Sequence, residues 1–161
     1  MSELRVGIVT SSDSCYRGDR TDGSGPALVD LVTARGWSIA GYRLCADDRE
    51  TLAAAIIELA DIERADIILT TGGTGFSPRD IAPEATLDVC DRLAPGISEH
   101  IRARSAEITP RAMLSRGVAA LRGRTLVINV PGSMKAATES FGFVADQLEH
   151  AVEMMAGGGH D

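Results

Sequence analysis

Asp66-Ile67-Ile68-Leu69-Thr70-Thr71-Gly72-Gly73-Thr74-Gly75-Phe76-Ser77-Pro78-Arg79-Asp80 is the stretch on which the fold turns. Its first part is a short apolar run that reads as a buried strand from Asp66 to Thr70, and the rest is the loop at that strand's carboxyl end. Glycines at 72, 73 and 75 let a backbone turn sharply and come close to a ligand, while hydroxyls, Arg79 and Asp80 stand around them. Such a set suits phosphate or another anion, and ligands of open α/β sheets bind beyond the carboxyl ends of the strands. The loop matches neither the Gly-x-x-x-x-Gly-Lys-Ser/Thr nor the Gly-x-Gly-x-x-Gly pattern. A mobile turn with ordinary Gly and Ser is the alternative that pattern leaves open.

Upstream, Arg5 to Thr10 (RVGIVT) is a first apolar, β-branched run that feeds the polar loop Ser11 to Gly25. Pro26 opens a helix in its first turn; Ala27, Leu28, Leu31 and Val32 recur at helical spacing, and Gly36 stands where a C-terminal cap belongs. Trp37 to Leu44 alternates as a second strand. Asp47-Asp48-Arg49-Glu50 then supplies carboxylates for the start of a helix carrying Leu52, Ile56, Leu59 and Ala60. Beyond the glycine loop, Ala82-Pro83-Glu84-Ala85-Thr86 starts another helix, and Pro95-Gly96-Ile97-Ser98-Glu99 breaks the chain before a further helical stretch to Glu107.

Gly117 to Leu121 and Thr125 to Val130 flank Arg122-Gly123-Arg124 as a hairpin, so one of its strands must run antiparallel to its neighbour. Phe141, Val144, Leu148, Val152 and Met155 space a long closing helix from Met134 to Ala156, with 157–161 a frayed, disordered tail. Strands alternating with helices predict an α/β fold. The expected form is a three-layer α/β/α sandwich in one domain over 1–161, its sheet mostly parallel with an antiparallel edge hairpin.

A chain of 161 residues buries a substantial core without a metal or disulfide staple. Cys15, Cys45 and Cys90 are widely spaced with no Cys-x-x-Cys pair, which argues for packing roles in a reducing compartment. His100, His150 and His160 are scattered and form no transition-metal pattern. A net charge of -7 disfavours nucleic-acid and membrane partners, both of which need clustered Lys and Arg. No run of about 20 apolar residues and no signal-peptide pattern occurs, so a soluble, cytoplasmic protein is expected.

If the strands are parallel, the loops Ser11 to Gly25, Ala46 to Asp48 and Gly72 to Asp80, together with Pro131-Gly132-Ser133, emerge at the same edge. Asp47 and Asp80 are candidate Mg²⁺ ligands, because that ion takes one or two protein carboxylates and completes its shell with water and phosphate. Equally, Asp47 or Asp48 could cap a helix and Asp80 could be a surface charge beside Arg79. Asp22 to Pro26 could cradle an anion at a helix amino end or simply cap that helix. Ser133 and Lys135 could bind phosphate, or Lys135 could be a solvated surface charge. Met113-Leu114-Ser115-Arg116 alone reads as a helix end with an exposed Arg.

The ordered set Ser12-Asp13, Asp22 to Pro26, Leu44-Cys45-Ala46-Asp47-Asp48, Thr71 to Thr86, Met113-Leu114-Ser115-Arg116 and Ile128-Asn129-Val130-Pro131-Gly132-Ser133 resembles the MogA/MoaB family of molybdenum-cofactor biosynthesis proteins, roughly from Arg5 to Leu148. The resemblance implies a homotrimer, or a hexamer, that binds molybdopterin and transfers AMP from ATP to the pterin's terminal phosphate with Mg²⁺. It also implies hand-over to a downstream molybdenum-insertion protein. Asp47 and Asp80 match the family's essential acidic positions, expected to be catalytic and to hold the metal. Ser12, Asp13, Asp22, Gly72, Gly73, Thr74, Gly75, Phe76, Ser77, Ser115, Pro131, Gly132, Ser133 and Lys135 match its substrate-binding motifs.

Two places depart from the pattern. Met134 stands where many relatives have proline, and Cys45-Ala46 replaces an apolar-Pro pair. The expected function is a molybdopterin adenylyltransferase; the alternatives are a non-catalytic molybdopterin-binding protein of MoaB type and a generic nucleotide-binding α/β domain.

Overall fold

A computed structural model describes residues 3–158; His160 and the last three residues of the expected tail lie outside that range. Six strands form one sheet in the order β2-β1-β3-β6-β5-β4. β1 (Arg5–Ser11), β2 (Ser38–Cys45), β3 (Ile67–Thr71) and β6 (Thr125–Val130) run parallel. β5 (Ala119–Arg122) pairs antiparallel with β6 through the two-residue turn Gly123-Arg124, as the hairpin reading requires. The outermost strand was not expected: Arg92–Leu93 forms a two-residue β4 antiparallel to β5, so the hairpin strand is covered and a shorter one holds the edge.

Every side chain of β3 and β6 is buried, as strands at a sheet centre require, the polar Thr70, Thr71, Thr125 and Asn129 among them. Alternation decides which layer each serves. Val6, Ile8, Ile67, Leu69, Leu126 and Ile128 face one side, where Leu28 and Val32 of α2 (Ser24–Ala34) and Phe141, Val144 and Leu148 of α6 (Met134–Met155) cover them. Val9, Ile68 and Val127 face the other side against Leu52 and Ile56 of α3 (Arg49–Ile57) and Ala82 and Ala85 of α4 (Ala82–Val89). Ile101 of α5 (Pro95–Ala106) completes the first layer. The three-layer α/β/α sandwich is therefore observed.

Trp37 closes the α2/α6 side. Its ring meets Phe141 edge-on at 6.2 Å between centroids, Arg35 lies 4.9 Å over its face, and its Nε1 donates to Glu149 at 3.3 Å. Short elements that carry no periodic signal escape the sequence reading: the four-residue helix α1 (Asp13–Tyr16), a π-turn over Glu58–Ile62 that ends α3, and a 3₁₀ turn over Pro110–Leu114. All three cysteines are free; Cys15 and Cys45 are buried and Cys90 is half-buried, where loss of solvent pushes its thiol up to about 11.

Candidate functional site

The four strand-end loops do converge. Ser12 after β1, Asp47 after β2, Gly72 and Gly73 after β3, and Gly132 and Ser133 after β6 line one cavity of about 490 Å³, a size suited to a small ligand. Arg20, Asp22, Met134 and buried hydroxyls from Thr10, Ser11, Ser24 and Thr71 add to its wall. Thr74, Gly75, Ser115, Pro131, Ser133 and Lys135 line a second hollow of about 530 Å³, and Ser133 is common to both. Phe76, Ser77 and Asp80 line neither; Phe76 is largely exposed at the loop tip. A larger hollow of about 860 Å³ lies at the opposite edge of the sheet, beside Asp66 and Thr125 where β3 and β6 begin, and holds none of the motif residues.

Of the adjacent pair Asp47 and Asp48, one takes the helix-cap role. Asp48 caps α3 by accepting the Thr51 N–H at 2.9 Å. Asp47 does not cap α3: its Oδ1 accepts the Ser11 hydroxyl at 2.8 Å, and its Oδ2 accepts the Asp13 N–H at 3.0 Å. Asp13 Oδ1 accepts the Asp47 N–H in return at 2.9 Å. Each Asp47 oxygen still has lone-pair capacity.

The glycine loop joins this network through Arg79. Its Nε and Nη2 donate to the two Asp13 oxygens at 2.9 and 3.0 Å, and this guanidinium, followed by the Asp47 N–H, lowers the Asp13 carboxyl to about 2. Asp80, next in sequence, accepts the Ser77 N–H through Oδ2 at 2.9 Å while its own N–H donates to Ser77 O at 2.9 Å, closing the tip of the loop on itself. Asp47 on the β2 loop and the β3 loop that carries Asp80 are thus both tied to Asp13 on the β1 loop, the first by paired backbone-to-carboxylate bonds and the second through Arg79.

The glycines serve the chain as much as any ligand. Gly72 has φ +99°, and a Cβ there would come closer than 3.0 Å to the Ser11 carbonyl oxygen; a Cβ on Gly132 would press on the Gly72 Cα at 3.2 Å. Three of the expected substrate residues also accept first-turn N–H groups of helices. Ser12 Oγ accepts from Cys15 N at 3.2 Å, Asp22 Oδ1 from Gly25 N at 3.1 Å, and Ser133 Oγ from Ala136 N at 3.2 Å. Asp22 Oδ2 accepts the Tyr42 hydroxyl; burial, followed by this hydrogen bond, pushes that phenol up to about 12. Lys135 pairs with Glu139 at 3.3 Å and is mostly exposed.

Arg116 corrects the reading of its motif as a helix end with an exposed Arg. The guanidinium is half-buried and pairs with Glu84 at 2.8 Å. Ser11 and Thr71, which the sequence reading places in loops and not among the candidate site residues, are the last residues of β1 and β3 and line the cavity; polar residues closing apolar runs (Thr10-Ser11, Thr70-Thr71) are the visible signal. No group of three or more His, Cys, Asp and Glu side chains among the described residues forms a metal cluster. A divalent ion here would have to take oxygens from a phosphate ligand, which is the habit of Mg²⁺, and the hard carboxylate donors Asp47 and Asp80 fit it on those terms.

Residues 7–150 match the family model described as "Probable molybdopterin binding domain". A Helicobacter pylori (strain J99) protein named molybdopterin adenylyltransferase is 33% identical over 159 residues, which span 98% of this chain and 90% of the relative. The Drosophila melanogaster molybdenum cofactor synthesis protein cinnamon is 37% identical over 157 residues, covering 96% of this chain and 26% of that much longer protein. Among solved structures, the molybdopterin biosynthesis enzyme MoaB of Thermus thermophilus has a TM-score of 0.90 at 44% identity, over 96% of this chain and 97% of the other. With the family match spanning all of the sheet but the first two residues of β1, and all four cavity loops, the chain belongs to this molybdopterin-binding domain family.

Proposed function

We propose that the protein is a molybdopterin adenylyltransferase that transfers AMP from Mg-ATP to the terminal phosphate of molybdopterin, releasing pyrophosphate. The observation that carries this reading is the four-loop cavity with Asp47 held at its wall by Ser11 and Asp13. Its support is the family membership and relatives named for that activity.

A phosphate oxygen of the pterin attacks the α-phosphorus of ATP, the bond to the bridging oxygen breaks, and pyrophosphate leaves with that electron pair. The nucleophile is already anionic at neutral pH, so no strong base is required, and catalysis rests on alignment and charge neutralisation. Magnesium, when bound, supplies that neutralisation. The chain's own contribution is the rest. Asp47 and Asp80 orient the metal-bearing phosphates, and the N–H groups of Met134 and Lys135 in the first turn of α6, which a helix leaves without internal partners, offer an anion site beside Ser133. Ser12, Gly72, Gly73 and Gly132 line the same cavity, while Thr74, Gly75, Ser115 and Pro131 supply the neighbouring hollow. We also propose a cytoplasmic homotrimer; among the described residues no helix is long and apolar enough to cross a membrane.

The test is incubation of purified protein with Mg-ATP and molybdopterin, with detection of adenylylated pterin and pyrophosphate. Asp80→Asn is expected to cut kcat by at least about a hundredfold while pterin binding persists. Normal turnover by both Asp80→Asn and Asp47→Asn would overturn the mechanism. Pterin binding with no turnover by the unmodified protein would favour a non-catalytic carrier.

A further inference from the structure

We infer that Arg116 is a positioning residue for Asp80, acting as a clamp that fixes both ends of the Gly75–Asp80 loop; this rests on the adenylyltransferase reading above. The Arg116 Nε donates to the Gly75 carbonyl at 2.8 Å and its Nη2 to the Asp80 carbonyl at 2.8 Å, so one planar group spans the entry and exit of the loop. The main chain adds a third tie, Arg116 N–H to Thr74 O at 2.8 Å.

The opposite edge of the guanidinium faces Glu84 in the first turn of α4, with Nη1 to Oε2 at 2.8 Å and Nη2 to Oε1 at 3.3 Å. Helix α4 is anchored in the core through Ala82 and Ala85, so the clamp refers the loop to a rigid element.

The donor count separates this role from phosphate binding. Nε–H, one Nη1–H and both Nη2–H are committed, which leaves a single N–H, and the ion pair with Glu84 cancels the positive charge locally. Arg79, by contrast, commits only Nε–H and one Nη2–H to Asp13 and stays largely exposed, so of these two arginines it is the one that keeps N–H groups for an anion. Without Arg116 the Asp80 carboxylate is tied only within its own loop, through Ser77. A lysine keeps the charge but cannot present two carbonyl-directed N–H groups and a carboxylate-directed edge in one plane.

The experiment compares the unmodified protein with Arg116→Lys and Arg116→Ala. Arg116→Lys is expected to lower kcat about tenfold to a hundredfold. Molybdopterin affinity should stay within about twofold, and the Mg²⁺ concentration for half-maximal rate should rise. Amide hydrogen exchange at Ser77 and Asp80 should accelerate at least about tenfold while the β3 amides stay protected. Millimolar guanidinium should restore rate to Arg116→Ala, and methylammonium should not. Wild-type turnover in Arg116→Lys, or unchanged exchange at Ser77 and Asp80, overturns the inference. If the unmodified protein forms no adenylylated pterin, the functional reading fails separately, and the exchange measurement still decides whether Arg116 holds Asp80.

Discussion

Gly72→Ala tests why the strand-end loop is built from glycine. At φ +99° an added Cβ would lie under 3.0 Å from the Ser11 carbonyl oxygen and 3.4 Å from its carbon. Neither atom can swing aside, because Ser11 is held in β1 opposite Cys45. A residue with a side chain in a left-handed conformation costs about 1–2 kcal/mol. Forcing a methyl group against packed backbone adds about 1–3 kcal/mol. The sum, about 2–5 kcal/mol, is a large share of a domain stability of about 5–15 kcal/mol. At this chain length it lowers Tm by roughly 4–20 °C. The assay is urea and thermal unfolding of the ligand-free protein followed by circular dichroism. Because the obstructing atoms belong to the chain itself, the loss must be present before any ligand is added. An alanine variant whose ligand-free Tm falls by less than about 2 °C, with only binding impaired, would show that the glycine serves ligand approach instead.

Two further outcomes follow from the network around the sheet. Asn129→Ala removes the donors to Thr70 Oγ1 at 2.8 Å and Thr86 Oγ1 at 3.0 Å and the acceptor of the Val118 N–H at 3.1 Å; urea denaturation should register a loss of about 2–4 kcal/mol, and a loss under about 1 kcal/mol would refute the role. Asp13 binds its proton more weakly folded than unfolded, its carboxyl held at about 2 against an ordinary 3.8, so the stabilisation it contributes is full above pH 3.8 and fades as pH falls toward about 2. Arg79→Gln should move the Asp13 carboxyl midpoint upward in an NMR titration and flatten acid unfolding over that window; an unmoved midpoint would show that Arg79 is not the cause.

The central strands and the long closing helix were legible because burial on both faces, or on one helical stripe, writes itself into composition: Ile67-Ile68-Leu69 and Leu126-Val127-Ile128 admit little else. The two-residue β4 was not, since Arg92 and Leu93 are both exposed and owe their pairing to β5 alone. At the site, the convergence of loops followed from parallel topology, yet the division of labour between Asp47 and Asp48 did not. Neighbouring carboxylates look alike until a helix start claims one of them. Arg116 was opaque for a different reason. Its partners Gly75 and Glu84 lie 41 and 32 residues away, a distance across which no local spacing rule operates.

The strand order also bears on synthesis. β6 is the last strand along the chain but sits at the middle of the sheet, between β3 and β5. A nascent chain that has emerged only as far as the glycine loop therefore displays an open edge of unpaired backbone on β3, a ready template for intermolecular pairing. Closure waits for residues 125–130, and the Gly132–Ser133 side of the cavity arrives later still, so competence to hold a ligand appears in a late step of assembly rather than growing with chain length.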